Sequence, residues 1–120
     1  VEGKWPDGCV AALIYSTFPS REAALAAGRV LVERRYAGCI NILPAMTSVY
    51  VWKGGTEVAD EAVLIMKVPA DGARAAAQAL LDLHPYETPA VLAVPVAIAG
   101  KAYLDWLVEG TDAGLAAKHF

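Results

Sequence analysis

Short apolar runs alternate along this chain with alanine-rich stretches of helical period. Cys9-Val-Ala-Ala-Leu-Ile-Tyr-Ser-Thr17 is apolar and rich enough in β-formers to predict a buried strand. Pro19-Ser-Arg-Glu22 then opens a helix, with Ser20 as N-cap and the Glu22 charge in its first turn. The helix continues to Tyr36 without proline. Its buried face is open between two arcs: Ala24, Gly28, Leu31 and Val32, or Ala23, Ala27 and Val30. Either arc borders an arginine, Arg35 or Arg34, that has to snorkel. Gly38 ends the helix, and Cys39-Ile-Asn-Ile-Leu43 resumes an extended pattern. Pro44 interrupts it before Ser48-Val-Tyr-Val-Trp-Lys53 alternates again, which predicts one long strand bent at a bulge. Gly54-Gly55 signals a hairpin. The return strand ends in Ala62-Val-Leu-Ile-Met-Lys-Val68, and the two-residue period puts Lys67 on the face of Val63 and Ile65. There it acts either as an edge lysine that discourages aggregation or as a charge directed into a pocket.

A second helix follows Pro69, with Ala73, Ala76, Ala77, Leu80 and Leu83 on one face. His84-Pro85 stops it, because a residue before proline is displaced from helical geometry. Val91 to Ile98 is the last strand of the sheet, and Pro95 argues for an edge or a bulge. A short amphipathic helix with Tyr103, Leu104, Trp106 and Leu107 comes next, and from Thr111 the chain is expected to fray. Strand, helix, strand, hairpin, strand, helix, strand is the order of a ferredoxin-like α+β sandwich, βαββαβ, here with an extra C-terminal helix. In that fold the first strand lies between the third and fourth and the second is at an edge. One domain is expected over residues 9–111, with tails at 1–8 and 112–120.

Composition adds an oligomer to this picture. The 120 residues (12.6 kDa) are 57% hydrophobic and 19% charged, with mean hydropathy +0.41, which excludes a disordered chain. A second strand of fifteen residues, counted from Cys39 to Lys53, far exceeds the typical ~5–6. Its excess should protrude and pair with a neighbouring copy, and cyclic closure would hide both the edge and the apolar surplus. A net charge of −3 offers no footprint for nucleic acid, and no cationic amphipathic stretch suggests a membrane. No apolar window is long enough to span one. Val1 to Gly8 carries Glu2, Lys4 and Asp7 and does not read as a signal peptide, so cytoplasmic residence is expected. Cys9 and Cys39 are then free thiols on non-adjacent strands.

Candidate chemistry is sparse. There is no phosphate-binding loop, no GxGxxG after a strand, no HExxH and no GxSxG. A Cys39–His84 nucleophile and base lacks an orienting third group, so no enzyme is expected. CxxC and HxH are also missing, which argues against a closed zinc site within one chain. The soft or borderline ligands are two Cys, two His and two Met, a set that favours copper over calcium or magnesium. Cys39 and His84 sit at element ends within reach of a ligand or a neighbouring subunit, while Met46 and Met66 are packing residues. His84-Pro-Tyr-Glu-Thr-Pro89 is the most constrained segment, because two prolines present His84, Tyr86 and Glu87 on a rigid loop.

Leu31-Val-Glu-Arg-Arg-Tyr-Ala-Gly-Cys-Ile-Asn-Ile42, Thr47-Ser-Val-Tyr-Val-Trp-Lys53, Val63-Leu-Ile-Met-Lys67, His84-Pro-Tyr86 with Pro89, and Tyr103-Leu-Asp-Trp106 occur in that order. With this set the chain resembles the CutA family of divalent-cation tolerance proteins, from about Cys9 to Thr111. The resemblance implies a ferredoxin-like protomer in a homotrimer similar to the PII signalling proteins, with a link to copper and other divalent metals. No organic cofactor and no established reaction come with it. It also implies a candidate site near a subunit boundary: Cys39 and His84 for a metal such as Cu2+, and Trp52, Lys67, Tyr86 and Glu87 for a ligand pocket. An alternative is a PII-like regulatory trimer that holds a small anionic metabolite between subunits through Lys67. Tyr36 and Gly38 depart from the leucine and alanine usual in the family, and Glu87 stands where an aspartate is common.

Overall fold

A computed structural model describes residues 1–112. Four strands, β1 (Ala11–Phe18), β2 (Cys39–Trp52), β3 (Gly55–Pro69) and β4 (Val91–Val96), form one antiparallel sheet in the order β2-β3-β1-β4. Helices α1 (Arg21–Glu33), α2 (Ala73–Leu83) and α3 (Lys101–Glu109) connect or follow them. This is the expected sandwich. β2 and β4, the two strands interrupted by proline, are its edges, where a missing N–H costs the ladder least.

Even-numbered residues of β1 and β3 point to the two long helices. Ala12, Ile14, Phe18, Leu64, Met66 and Val68 are fully buried there with Leu31 of α1 and Leu80 of α2. Ser20 caps α1, its Oγ accepting from the Ala23 N–H at 3.1 Å. The face α1 buries is Ala24, Ala27, Gly28 and Leu31, which draws on both predicted arcs and leaves Val32 exposed. Gly28 decides it: a Cβ there would lie 2.5 Å from Ile40 Cδ1, so the helix rests directly on β2 at this glycine. On α2 the predicted stripe holds from Ala73 to Leu80, whereas Leu83 is exposed in the last turn.

Among the described residues the opposite sheet face carries no long helix. Leu13, Leu43, Leu92 and Val94 lie on it 38%, 53%, 59% and 50% exposed. Among the described residues α3 covers one end of it, and the loop after α2 reaches over the other. Gly38 makes the α3 contact possible, since a Cβ there would sit 2.7 Å from Leu107 Cδ2 and 3.3 Å from Leu107 Cα. Arg35, in left-handed conformation (φ 65°) just past α1, donates to the Glu109 carbonyl at 2.8 Å and so holds the C-terminal end of α3. Thr111, expected to begin a frayed tail, is 2% exposed, and the Asp112 N–H donates to the Arg35 carbonyl at 2.9 Å. The fraying expected for later residues lies outside the described ones. At the other terminus Trp5 packs against the core, and Arg74 of α2 donates to the Gly3 carbonyl at 2.6 Å.

β2 and β3 continue past the helices as a ribbon, and the molecule measures 51 × 28 × 24 Å. The hairpin turn is Lys53-Gly54, both with positive φ (50° and 83°), one residue earlier than Gly54-Gly55; Gly55 opens β3. A bulge between Leu43 and Met46 shifts the register at Pro44. Before it Leu43 pairs with Val63; after it Met46 pairs with Glu61 and Tyr50 with Glu57. Alternation in β2 is therefore inverted beyond the bend. Tyr50 and Trp52 come to the helix-free side, and Val49 and Val51 turn to the other side, 68% and 72% exposed.

Candidate functional site

Two clusters occupy opposite ends of the helix-free face. At the α3 end Cys39 and Lys67 are register partners across β2 and β3. The half-buried Cys39 thiol points its Sγ at the Ile40 carbonyl, 3.6 Å away. Lys67 lies on an interior strand, which removes the edge-lysine reading; its Nζ sits 5.5 Å from the centroid of the Tyr103 ring on α3. The charge thus rests on an aromatic face of its own chain and takes no part in the cavity described next.

At the far end, the loop after α2 and the bent ribbon enclose a cavity of about 510 Å³. Trp52, Tyr86 and Glu87 line it, as do Tyr15, Tyr50 and Glu61. The Tyr86 hydroxyl donates to Glu61 Oε2 at 2.8 Å. Burial, the largest single influence on Glu61, acts to raise its pKa; hydrogen bonds from Ser48, Tyr86 and Thr17 and the nearby His84 outweigh it, so the carboxyl titrates below 4.5. Tyr86 is pushed well above the ordinary phenol value by burial and by Glu61. The pair therefore holds one negative charge and one neutral hydroxyl at neutral pH.

His84 anchors the loop from inside. Its Nε2 is 2.8 Å from the Thr17 carbonyl and 3.1 Å from Ser16 Oγ, and its Nδ1 accepts the Tyr86 N–H at 3.2 Å. The carbonyl contact requires the proton on Nε2. The ring also stacks on Phe18 with centroids 4.2 Å apart. Burial leads in lowering its pKa below 6.5, against the bond to Thr17 and the charge of Glu61. Nε2 thus ties the ring to β1, and Nδ1 holds the Tyr86 backbone.

Of the six residues named from sequence, the structure brings Trp52, Tyr86 and Glu87 to one cavity, with His84 supporting it from behind. Lys67 and Cys39 stand apart, level with Leu13 of β1, while His84 bonds at Thr17, four residues or about 13 Å along the strand. Among the described residues no group of three or more His, Cys, Asp or Glu is placed to hold a metal ion. Cys39 and His84 of one chain do not form a site. Sequence reasoning missed Glu61, although the period that placed Lys67 with Val63 and Ile65 reaches Glu61 two residues earlier.

A profile described as "CutA1 divalent ion tolerance protein" matches residues 12–110, almost the whole described chain. The chain belongs to the CutA family. It is 37% identical over 99 residues to the divalent-cation tolerance protein CutA of Thermus thermophilus, spanning 82% of this chain and 96% of that one. Among solved structures, CutA of Xylella fastidiosa superposes with a TM-score of 0.81 at 38% identity, covering 85% of this chain and 98% of that one. A CutA from Archaeoglobus fulgidus, described as periplasmic, gives 0.79 at 32% identity over 83% of this chain and 97% of that one. Mouse and human CutA relatives are longer, and the match spans 55% of each. No helix of the described residues is long and apolar enough to cross a membrane.

Proposed function

We propose that this CutA-family chain is a homotrimer that contributes to divalent-metal tolerance by holding a cation such as Cu2+ at subunit boundaries. The observation that carries this reading is the helix-free sheet face. Among the described residues Leu13, Leu92 and Val94 leave it apolar and open, and Val49, Val51 and Val58 add exposed apolar surface on the opposite side of the ribbon. A face of this kind is stable in water when copies of the chain cover it. Cys39 lies beside it, so packing there brings the thiol near a second subunit. A thiolate and an imidazole suit copper. Because one chain keeps Cys39 and His84 apart, the metal takes them from different copies, and His84 Nδ1 exchanges the Tyr86 N–H for the ion. We assign the protein no reaction and place it in the cytoplasm, where thiols stay reduced. The anion-binding alternative finds little support, since Lys67 is withdrawn to Tyr103 and the cavity carries carboxylates.

Sedimentation together with Cu2+ titration tests the proposal. The expected particle is three times the 12.6 kDa chain mass, and Cys39→Ser weakens Cu2+ binding. Indistinguishable isotherms for the two proteins remove Cys39 as a ligand, and a 12.6 kDa species in dilute solution removes the shared site altogether.

A further inference from the structure

The cavity at the Glu61 end has a chemistry of its own. Four aromatic rings, Tyr15, Tyr50, Trp52 and Tyr86, border it along with the carboxylates of Glu61 and Glu87. Among the described residues no lysine, arginine or histidine lines it. The Tyr86 hydroxyl occupies one oxygen of Glu61, which holds the carboxylate in place. At about 510 Å³ the cavity falls within the range of small-molecule sites, large enough for a small organic ion and some water.

We propose that this cavity binds an organic ammonium cation, with the charge facing Glu61 and Glu87 and its alkyl groups resting on the aromatic rings. Ring faces carry negative quadrupole potential and attract a diffuse, weakly hydrated cation, and carboxylates add a net charge to the same attraction. An anion would meet repulsion from both glutamates, and no basic group among the described residues lines the cavity to offset it. A compact divalent ion needs several well-placed oxygen or nitrogen ligands, and among the described residues no group of three or more His, Cys, Asp or Glu is placed to supply them. The cavity lies on the face that the trimer reading covers with other copies, and His84 of the metal reading sits behind it, so this proposal rests on the cavity staying open in the assembly, while its ligand class is different.

Calorimetric titration of the full chain with choline, in EDTA to exclude metal, is the test. Its uncharged carbon isostere, dimethylbutanol, is titrated in parallel, and acetate serves as the anion. Choline is expected to bind saturably, and dimethylbutanol about tenfold more weakly or worse, corresponding to the cation–π and carboxylate attraction it lacks. Glu61→Gln should weaken choline several-fold. Glu87→Gln, on the exposed loop and outside the Tyr86–Glu61 hydrogen bond, should do the same without disturbing the fold. Equal affinity for choline and dimethylbutanol would overturn the proposal by showing a merely apolar pocket. So would tighter binding of acetate, or no saturation by choline at concentrations on the order of tens of millimolar.

Discussion

At one end of the open sheet face Lys67 and Cys39 sit side by side beneath α3; at the other, Glu61 and Glu87 stand among tyrosines at the base of the ribbon. The same strand, β3, supplies Lys67 and Glu61 in the same orientation, six residues or about 20 Å apart. What differs is the covering element. Over Lys67, α3 fits closely, because Gly38 lets Leu107 approach and Arg35 ties down the end of the helix. Over Glu61, two prolines stiffen the loop, which touches the sheet through His84 and the Tyr86 hydroxyl and leaves a cavity beside them. A close-fitting helix leaves no space at the charge it covers, whereas a stiff loop leaves a carboxylate, already bonded by Tyr86, bordering a cavity.

The largest way to break this contrast is Gly38→Val. Its side chain cannot share space with Leu107, so α3 should lift, with a loss of about 2–3 kcal/mol in urea denaturation. An unchanged midpoint would mean that α3 contributes little to closing that end. Tyr86→Phe sharpens the other end. Deleting the hydroxyl that donates to Glu61 should cost about 1 kcal/mol at neutral pH. The folded-state carboxyl of Glu61 lies below 4.5, so its contribution is complete above 4.5 and disappears as pH falls through the folded value. Thermal melts of Tyr86→Phe should therefore lose less stability than wild type on acidification below about pH 5. Parallel acid limbs would show that the hydroxyl does not set the charge. The smallest effect belongs to Lys67→Met. It replaces a partly exposed cation over Tyr103 and should shift stability by no more than about 0.5–1 kcal/mol in the same denaturation experiment. A loss several times larger would mean that Lys67 has a partner beyond the ring.

The architecture was legible because it is written in period and punctuation. Two-residue alternation in β1 and β3, Ser20 before α1, His84-Pro85 after α2, and prolines at 44 and 95 together imply the strand order that is observed. The buried face of α1 was not legible, because alanine is so frequent on that helix that both arcs look equally apolar. Contact with Ile40, from a strand nine residues beyond Leu31, makes the choice. The site was half legible. Proline spacing singled out the loop of His84, Tyr86 and Glu87, which does border the cavity. Tyr50 escaped notice because its orientation depends on a bulge that pattern can locate but cannot size. Lys67 pointed as the period required, yet a ring thirty-six residues away in the chain had already engaged it.

The bend at Pro44 absorbs one extra residue: Leu43 and Met46, three apart in the chain, face the same side. Strict alternation from Leu43 through the same residues would instead send Val49 and Val51 to the cavity side in place of Tyr50 and Trp52. Deleting one residue between Leu43 and Met46 would straighten the ribbon and leave both aromatics facing as they do, so curvature here is separable from which side chains a ligand meets.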